Sequence, residues 1–503
     1  VIPDTGPTNL QSPAAIRNVP LLAAYFADVP LLHSIPKRYR EAWATANVKV
    51  AMWIEAAEVN SVEYEDALKW DLLLHKILLP SGKKFRGRTS RSGRQRNRSG
   101  SEEIGRRMKY FNEGDFQRLI RAFKDDLSKA RKRGSRSKPK NSQDAEKRRI
   151  QDAVTRAHDL MAQGRFSKAH RTLLSKGLAD LTDPRVLHQI VLRHPPRRLH
   201  LPSQPPLDSP TEGFHVELHT RYSKLKSLAG TGPAGYRNEY LIALTHTFFD
   251  PIAKQVIQKH EALAELYLSG SLPPWYYFVI GSLELVALKK KEVTHHNEPS
   301  SIRPIGIGDC RRRAWLSEYI NNYNPMFRQT LQPQQMAVGV KSGIQKMFAA
   351  VDIHTSHPRH RHHVVGCIDI LYNTYNEIER YPMLESIREH PKWRSLYKTV
   401  WSLLSPSCKI KYAGNTRSDN GVIQGDPTAT ASFCCGIHKD VQWADNYMRR
   451  FGGFVIFFAD DGRFVGPADN VYYCMQEFEK RIRHRLNLHY NNDKYYMVHR
   501  PLH

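Results

Sequence analysis

The chain has 503 residues, 40% of them hydrophobic, and a formal net charge of +27 from 76 Lys and Arg against 49 Asp and Glu. This length allows about three or four domain-sized units with hydrophobic cores, and the positive charge favours a polyanionic partner, above all nucleic acid. No apolar run reaches the length of a membrane span, and the six cysteines lack the spacing of a secreted disulfide scaffold, so we expect an intracellular protein with reduced thiols.

The first part of the chain is predicted to be helical and then basic. Residues 1–80 mix apolar runs with helix formers, which predicts a helical N-terminal segment. Residues 81–149 are rich in Arg, Lys, Gly and Ser, and we expect a basic, largely disordered linker because such stretches bury little apolar surface. Its arginines are predicted to contact nucleic acid or, alternatively, to form a nuclear-import signal. They are Arg86, Arg88, Arg91, Arg94, Arg96 and Arg98.

The remaining chain is predicted to alternate helices and strands. Residues 150–228 return to helical periodicity and end in a proline-rich connector. Beyond them the patterns of apolar residues predict a mixed α/β region. The strand predictions are 278–288, 364–370, 409–412 and a hairpin within 454–465. The helix predictions are 237–249, 252–268, 311–323, 381–389 and 430–449.

Two adjacent carboxylates, Asp460 and Asp461, lie at the turn of that hairpin, between two short apolar runs. Gly462 follows them and supplies the backbone freedom that a tight hairpin needs. Adjacent carboxylates repel each other unless cations neutralise them, and Mg²⁺ binds a few carboxylates together with substrate phosphates. The pattern indicates a magnesium site at the hairpin tip, and a polar turn without a ligand is the alternative interpretation.

Other motifs occur around this hairpin in a fixed order. Arg303 opens an Arg-Pro-Ile-Gly-Ile-Gly-Asp run, and Asp369 ends an apolar strand. Gln424 and Gly425 form a turn before a helix rich in small residues, and Lys494 follows the hairpin. This order resembles the reverse transcriptases of non-LTR (LINE-type) retrotransposons. Further pieces similar to that family are 232–241, the Arg312-Arg313 pair and 335–340.

The resemblance covers about 229–500 and, more loosely, 164–174. It implies an α+β right-hand polymerase, with fingers at 229–360 and a palm at 361–503 whose antiparallel sheet is backed by helices. Neither an endonuclease domain nor a complete thumb is recognisable, and the chain begins with Val rather than Met. We therefore expect a partial copy of such an element, located in the nucleus.

The family's chemistry implies roles for four of these residues. Asp369 and Asp460, assisted by Asp461, would bind two Mg²⁺ ions, with Mn²⁺ as an alternative. Lys494 would give a proton to the leaving pyrophosphate. The reaction would be RNA-directed DNA polymerisation, an in-line phosphoryl transfer that depends on positioning and on two metal ions. Its partners would be an RNA template, a DNA primer and dNTPs, without a membrane.

The nucleotide would be held by residues outside the carboxylate set. By resemblance, Arg303 would grip the triphosphate, and Gln424 with Gly425 would shape the floor beneath the nascent base pair. Tyr375 would be the aromatic gate that selects dNTP over rNTP.

The chain departs from the family after the first aspartate. The family has Asn three residues after this Asp, whereas here Asn373 comes one residue later. An ungapped match would place Ile370 in the metal position, because a one-residue shift turns a strand side chain to the opposite face. Otherwise a bulge absorbs the extra residue and Asp369 keeps the position. The same shift makes Thr374 the alternative to Tyr375.

Two other functions remain open at this point. A catalytically degenerate chain would keep the fold and bind nucleic acid without polymerising. A viral RNA-dependent RNA polymerase shares the palm, but usually has Gly where Ala459 precedes the Asp pair here. The histidines at 354, 357, 360, 362 and 363 match no standard metal-site spacing and predict a polar loop before a strand.

Overall fold

The computed structural model describes residues 11–81, 98–134, 142–162, 164–174, 178–181, 183–202, 215–245, 251–289, 302–370, 373–413 and 415–499. They form a mixed α and β architecture that is mainly helical and holds two four-stranded sheets. The mixed α+β class predicted from the sequence is therefore present.

The helices of the N-terminal half are α1 (Leu21–Phe26), α2 (Arg40–Ala56), α3 (Val62–Leu78), α4 (Arg98–Asn112), α5 (Phe116–Gly134), α6 (Ser142–Ala162), α7 (Phe166–Leu173), α8 (Pro184–Leu192), α9 (Leu218–Ser223) and α10 (Asn238–Thr245). Those that follow are α11 (Pro251–Leu268), α12 (Pro274–Ile280), α13 (Cys310–Leu331), α14 (Gly343–Ser356), α15 (Thr374–Glu377), α16 (Arg380–Glu389), α17 (Tyr397–Leu404), α18 (Ala429–Arg449) and α19 (Ala468–Leu486). The strands are β1 (Leu283–Lys289), β2 (Ile302–Ile307), β3 (His363–Asp369), β4 (Cys408–Lys411), β5 (Arg417–Ser418), β6 (Phe454–Phe458), β7 (Asp461–Pro467) and β8 (Tyr496–His499).

The basic segment predicted to be largely disordered is helical in α4 and α5, so that prediction is wrong for this part. Apolar residues recur there every three or four positions, and the stripe is buried against α2 and α3. The rings of Trp53 and Phe111, for example, lie 5.8 Å apart. The basic composition of the segment does not reveal this periodicity of its apolar residues. Residues 82–97, with the arginines from 86 to 96, lie outside the described residues, and Arg98 begins α4.

The N-terminal helices share one hydrophobic core with the region predicted as fingers. The His75 ring contacts the Ala234 carbonyl through Nε2 at 2.9 Å, and Trp43 Nε1 donates to the Tyr240 carbonyl at 3.3 Å. Gly232 completes this loop with φ +73°, and a Cβ there would lie 2.5 Å from the Gly308 carbonyl oxygen. The 232–241 motif is therefore packed between α2, α3 and the start of α13.

The first sheet has the strand order β2-β1-β4-β5. β1 pairs antiparallel with β2 and parallel with β4, so the sheet joins strands from both sides of the predicted boundary at 360. The strand predicted at 278–288 begins only at Leu283. Residues 278–280 belong to α12, because the two prolines at 273 and 274 favour a helix start and Gly281 follows its end.

The second sheet has the order β6-β7-β3-β8 and is antiparallel throughout. Helices α18 and α19 pack on it, and Gly366 in the middle of β3 allows the close approach of α19. A Cβ at Gly366 would lie 2.2 Å from the Met475 sulfur. The antiparallel sheet backed by helices, expected around the hairpin, is present.

The composition predicted reduced cysteines and no run of apolar residues long enough to span a membrane. The six cysteines are buried with free thiols, as the absence of a scaffold spacing predicted. Within the described ranges, none of the helices combines the length and apolar character that crossing a bilayer requires.

Candidate active site

The two adjacent aspartates lie at the turn between β6 and β7. Ala459 directly before them has φ +57°, a left-handed conformation that costs an L-residue about 1–2 kcal/mol. The buried Gln335 side chain holds this residue on both sides. Its Oε1 accepts a hydrogen bond from the Ala459 N–H at 2.8 Å, and its Nε2 donates to the Ala459 carbonyl at 3.2 Å. Gln335 therefore stabilises the turn that presents the carboxylates.

Asp369 ends β3 directly opposite Asp461 in β7. Opposed residues of an antiparallel pair project their side chains on the same face, so Asp369 faces the hairpin carboxylates. Ile370 is buried instead, and its N–H donates to the Asp460 carbonyl at 3.1 Å. Of the two alignments left open by the sequence, this geometry corresponds to the one with Asp369 in the metal position. Residues 371–372 lie outside the described residues.

The hairpin carboxylates are electrostatically coupled to Asp369. Burial, together with smaller effects of the negative charges of Asp369 and Asp461, raises the pKa of Asp460 to about 6 against the opposing effect of Lys494. Burial and Asp369 also raise the pKa of Asp461. The site therefore concentrates negative charge that favours binding of cations.

Lys494 provides one such positive charge. It ends the 3-10 turn Asn492–Lys494, and its ammonium forms an ion pair with Asp369 Oδ2. The preceding Asn491 donates its backbone N–H to the Asp369 carbonyl at 2.9 Å, which places this turn beside the end of β3. The structure thus brings together all four residues predicted to be catalytic, although they lie far apart in the chain.

Tyr375 lies at the edge of this group. Its hydroxyl is 3.3 Å from Thr430 Oγ1, and its ring lies 5.2 Å from that of Phe433. Burial raises its pKa, with smaller increases from Cys434 and Asp460. Thr374, the alternative gate residue, is buried and donates to the Ile370 carbonyl at 2.5 Å.

Gln424 and Gly425 connect the site to the first sheet. Gly425 has φ +103°, and a Cβ there would lie 3.5 Å from the Gly306 carbonyl oxygen in β2. Gln424 shares a small cleft with Pro304 and Asn376. The predicted floor residues therefore lie between β2 and the segment that carries Tyr375.

Arg303 occupies an exposed position on β2, opposite Leu288 of β1. Within the described part of the chain no ion pair of Arg303 is formed, and it does not contact the aspartates. The structure thus leaves this predicted triphosphate ligand on the neighbouring sheet.

The three carboxylates fit a hard divalent cation, because carboxylate oxygens are ligands that Mg²⁺ uses. The ammonium of Lys494 shows that Asp369 already binds one positive charge. The oxygens of Asp369, Asp460 and Asp461 do not all lie within 4.8 Å of one another. Across the described ranges, the set of three ligand atoms all within 4.8 Å of one another is formed by His354, His360 and His363.

Sequence reasoning missed several residues that shape this site. Gln335 lay within a motif noted by resemblance, but nothing in its spacing indicated a contact with a turn 124 positions later. Arg312 forms a buried ion pair with Asp426, whose Oδ1 also accepts from the Thr428 N–H at 2.9 Å at the start of α18. The arginine pair was visible, but its carboxylate partner was not.

No protein-family model matches the sequence, and no curated protein matches it either. What the chain does is therefore inferred from its residues and their geometry.

Proposed function

We propose that the chain is an RNA-directed DNA polymerase of retrotransposon origin, with the right-hand arrangement of fingers and palm. One observation carries the proposal: Asp369 stands opposite Asp461 beside a hairpin tip that also holds Asp460, and Lys494 is paired with Asp369. Three carboxylates and a basic residue around an antiparallel hairpin are what metal-assisted nucleotidyl transfer requires.

Asp369, Asp460 and Asp461 are the residues that would hold two Mg²⁺ ions, or Mn²⁺ as the alternative. Bound there, the ions would lower the pKa of the primer 3′-hydroxyl and neutralise charge on the phosphates. The raised pKa values of Asp460 and Asp461 support this assignment, because cations would relieve the repulsion that causes part of the increase.

The chain's other residues would orient the nucleotide and move protons. Lys494 lies beside Asp369, where its ammonium can reach a leaving pyrophosphate and donate a proton to it. Tyr375, which contacts Thr430 and Phe433, would restrict the space for a ribose 2′-hydroxyl. Gln424 and Gly425 would support the template base, since a glycine allows close approach of a backbone.

Charge over the whole chain would hold the nucleic acid. A net charge of +27 favours binding to phosphates that weakens steeply with salt, because each contact releases counterions. The arginines between 86 and 98 are the proposed contacts to the template, and exposed Arg303 is proposed to reach the triphosphate.

The proposal is tested by extending a DNA primer on an RNA template with the full chain, Mg²⁺ and dNTPs. We expect incorporation that Asp460→Asn reduces by at least about 100-fold, because a metal-binding charge is lost. Asp469→Asn changes an exposed aspartate in the first turn of α19 and should leave the rate unchanged. Tight template binding without any extension by the unaltered chain would refute the enzyme proposal.

The one-residue shift after Asp369 favours one alternative, a nucleic-acid-binding chain that has lost catalysis. Such a chain would bind RNA with the same salt dependence, and Asp460→Asn would then change neither binding nor any rate. A preference for NTPs over dNTPs in the extension assay would instead indicate an RNA-dependent RNA polymerase.

A further inference from the structure

Five histidines lie between the end of α14 and the start of β3, and three of them converge. His354 is in the last turn of α14, His360 lies in the 3-10 turn Pro358–His360, and His363 is the first residue of β3. One ring nitrogen of each lies within 4.8 Å of the others. These three residues are called the histidine cluster below.

Contacts within the histidine cluster are close. His354 Nε2 and His363 Nδ1 are 2.9 Å apart, so one donates a hydrogen bond to the other. The rings of His354 and His360 are stacked with centroids 4.1 Å apart, and those of His360 and His363 are 4.7 Å apart. One ring nitrogen of each residue therefore lies near those of the other two, and His363 is buried.

The histidine cluster lies beside a cavity with room for a ligand. It borders a cavity of about 570 Å³ that Gly452, Gly453 and Phe454 also line. Gly452 has no side chain to fill the space, and a Cβ there would come only within 3.8 Å of the His360 ring. Arg449 lines the same cavity, but its charge is balanced by Asp445 at 2.8 Å.

We propose that the histidine cluster binds one divalent transition-metal ion of the Zn²⁺ class. Imidazole nitrogens suit Zn²⁺, Co²⁺ or Ni²⁺, whereas Mg²⁺ prefers oxygen ligands. Tetrahedral Zn–N bonds place ligand nitrogens about 3.3–3.4 Å apart. The proton between His354 and His363 would move to the other nitrogen of its own ring, so that both imidazoles bind as neutral ligands, and that pair would open by about 0.5 Å from its hydrogen-bonded distance.

The site has three protein ligands, and two of them, His354 and His360, also line the cavity, from which a water would complete the coordination. His357 accepts a hydrogen bond from the Arg359 N–H through Nδ1 at 3.2 Å and lies outside the converging set. The ion would connect the end of α14 to β3, the strand whose opposite end is Asp369. The proposal stands whether or not the chain polymerises DNA.

The experiment uses the full chain, freed of metal by chelation, with Zn²⁺ and Co²⁺ as the probes. We expect one Zn²⁺ per chain by elemental analysis after dialysis, the visible absorption of a tetrahedral Co²⁺ site, and a higher melting temperature with Zn²⁺. His354→Ala and His360→Asn should each weaken binding by at least about 100-fold, because even a supporting residue of a metal site is worth 10–100-fold.

Two matched variants locate the ion. His362→Ala removes an exposed neighbour outside the converging set and should bind Zn²⁺ as the unaltered chain does. Asp460→Asn should also retain binding, which separates this site from the aspartates. The proposal is overturned if the unaltered chain does not bind Zn²⁺ stoichiometrically. It is also overturned if Zn²⁺ binding survives both cluster substitutions, or if His362→Ala weakens Zn²⁺ binding as much as they do. Far-ultraviolet circular dichroism verifies that each variant is folded, and two separate positions keep the test decisive if one variant does not fold.

Discussion

A carboxylate whose pKa is raised by the fold makes the fold less stable once it ionises. Asp460 has a pKa of about 6 in the folded chain against an ordinary value of 3.8, chiefly because it is buried. The unfolded chain releases this proton first as pH rises. Stability is therefore lost between about pH 4 and pH 6 and stays reduced above that range.

The variant Asp460→Asn, studied without divalent ions, tests whether ionised Asp460 lowers the free energy of unfolding. At pH 8 we expect it to be more stable than the unaltered chain by up to about 3 kcal/mol, which corresponds to a pKa difference of about two units. At pH 4 the difference should vanish. Urea denaturation at both pH values measures it, with Glu389→Gln, an exposed carboxylate in α16, as control. Equal effects at both pH values would contradict the assigned cause.

At the scale of elements, the hairpin shows how far the sequence alone could lead. The short apolar runs of β6, β7 and β3 are local patterns, so these strands were predictable. The contact between Gln335 and Ala459 depends on how two distant segments fold together. The members of the histidine cluster come from a helix end, a turn and a strand start, so their spacing matches no standard metal site and predicts a polar loop instead.

The variant Gln335→Ala should loosen the hairpin turn. Ala459 would lose its two side-chain hydrogen bonds while remaining left-handed, and we expect a loss of about 1–3 kcal/mol in the free energy of unfolding. If the proposed function holds, extension should fall by up to about 100-fold, since small misplacements of catalytic groups are costly.

Relief of backbone strain provides the control for that variant. Adding Ala459→Gly to Gln335→Ala should recover part of the stability, because glycine adopts positive φ without strain. Thermal denaturation compares the two variants with the unaltered chain. A double variant no more stable than Gln335→Ala would show that the turn conformation is not what Gln335 supports.

At the scale of the whole molecule, the N-terminal helices are connected to the centre by buried charge. Arg311 Nη1 lies 2.9 Å from both carboxylate oxygens of Asp71 in α3, and Tyr276 donates to the same carboxylate at 2.8 Å. The Arg311 guanidinium also lies 4.7 Å from the centre of the Tyr236 ring. One arginine thus joins α3, α12, α13 and the loop before α10.

Removing the carboxylate should destabilise all these elements together. Asp71→Asn leaves the buried guanidinium with Asp309, 3.5 Å from its Nε, as a weaker carboxylate partner, and we expect a loss of up to about 3–5 kcal/mol. Glu113→Gln breaks an ion pair of 3.6 Å with Lys109 on the surface of α4 and should cost less than about 1 kcal/mol. Denaturant midpoints compare them. Similar midpoints for the two variants would mean that Asp71 does not hold the helices to the centre.

The parallel pairing of β1 with β4 also has a consequence for synthesis on the ribosome. The start of β1, Leu283 and Glu284, emerges long before residue 411 is translated, so this end of the strand waits without its β4 partner. At about 5–20 residues per second this interval is on the order of ten seconds. The unpaired N–H and C=O groups of an open strand edge can form hydrogen bonds with strands of other chains. Slow translation of the intervening stretch would therefore lengthen the period in which the nascent chain is vulnerable to aggregation.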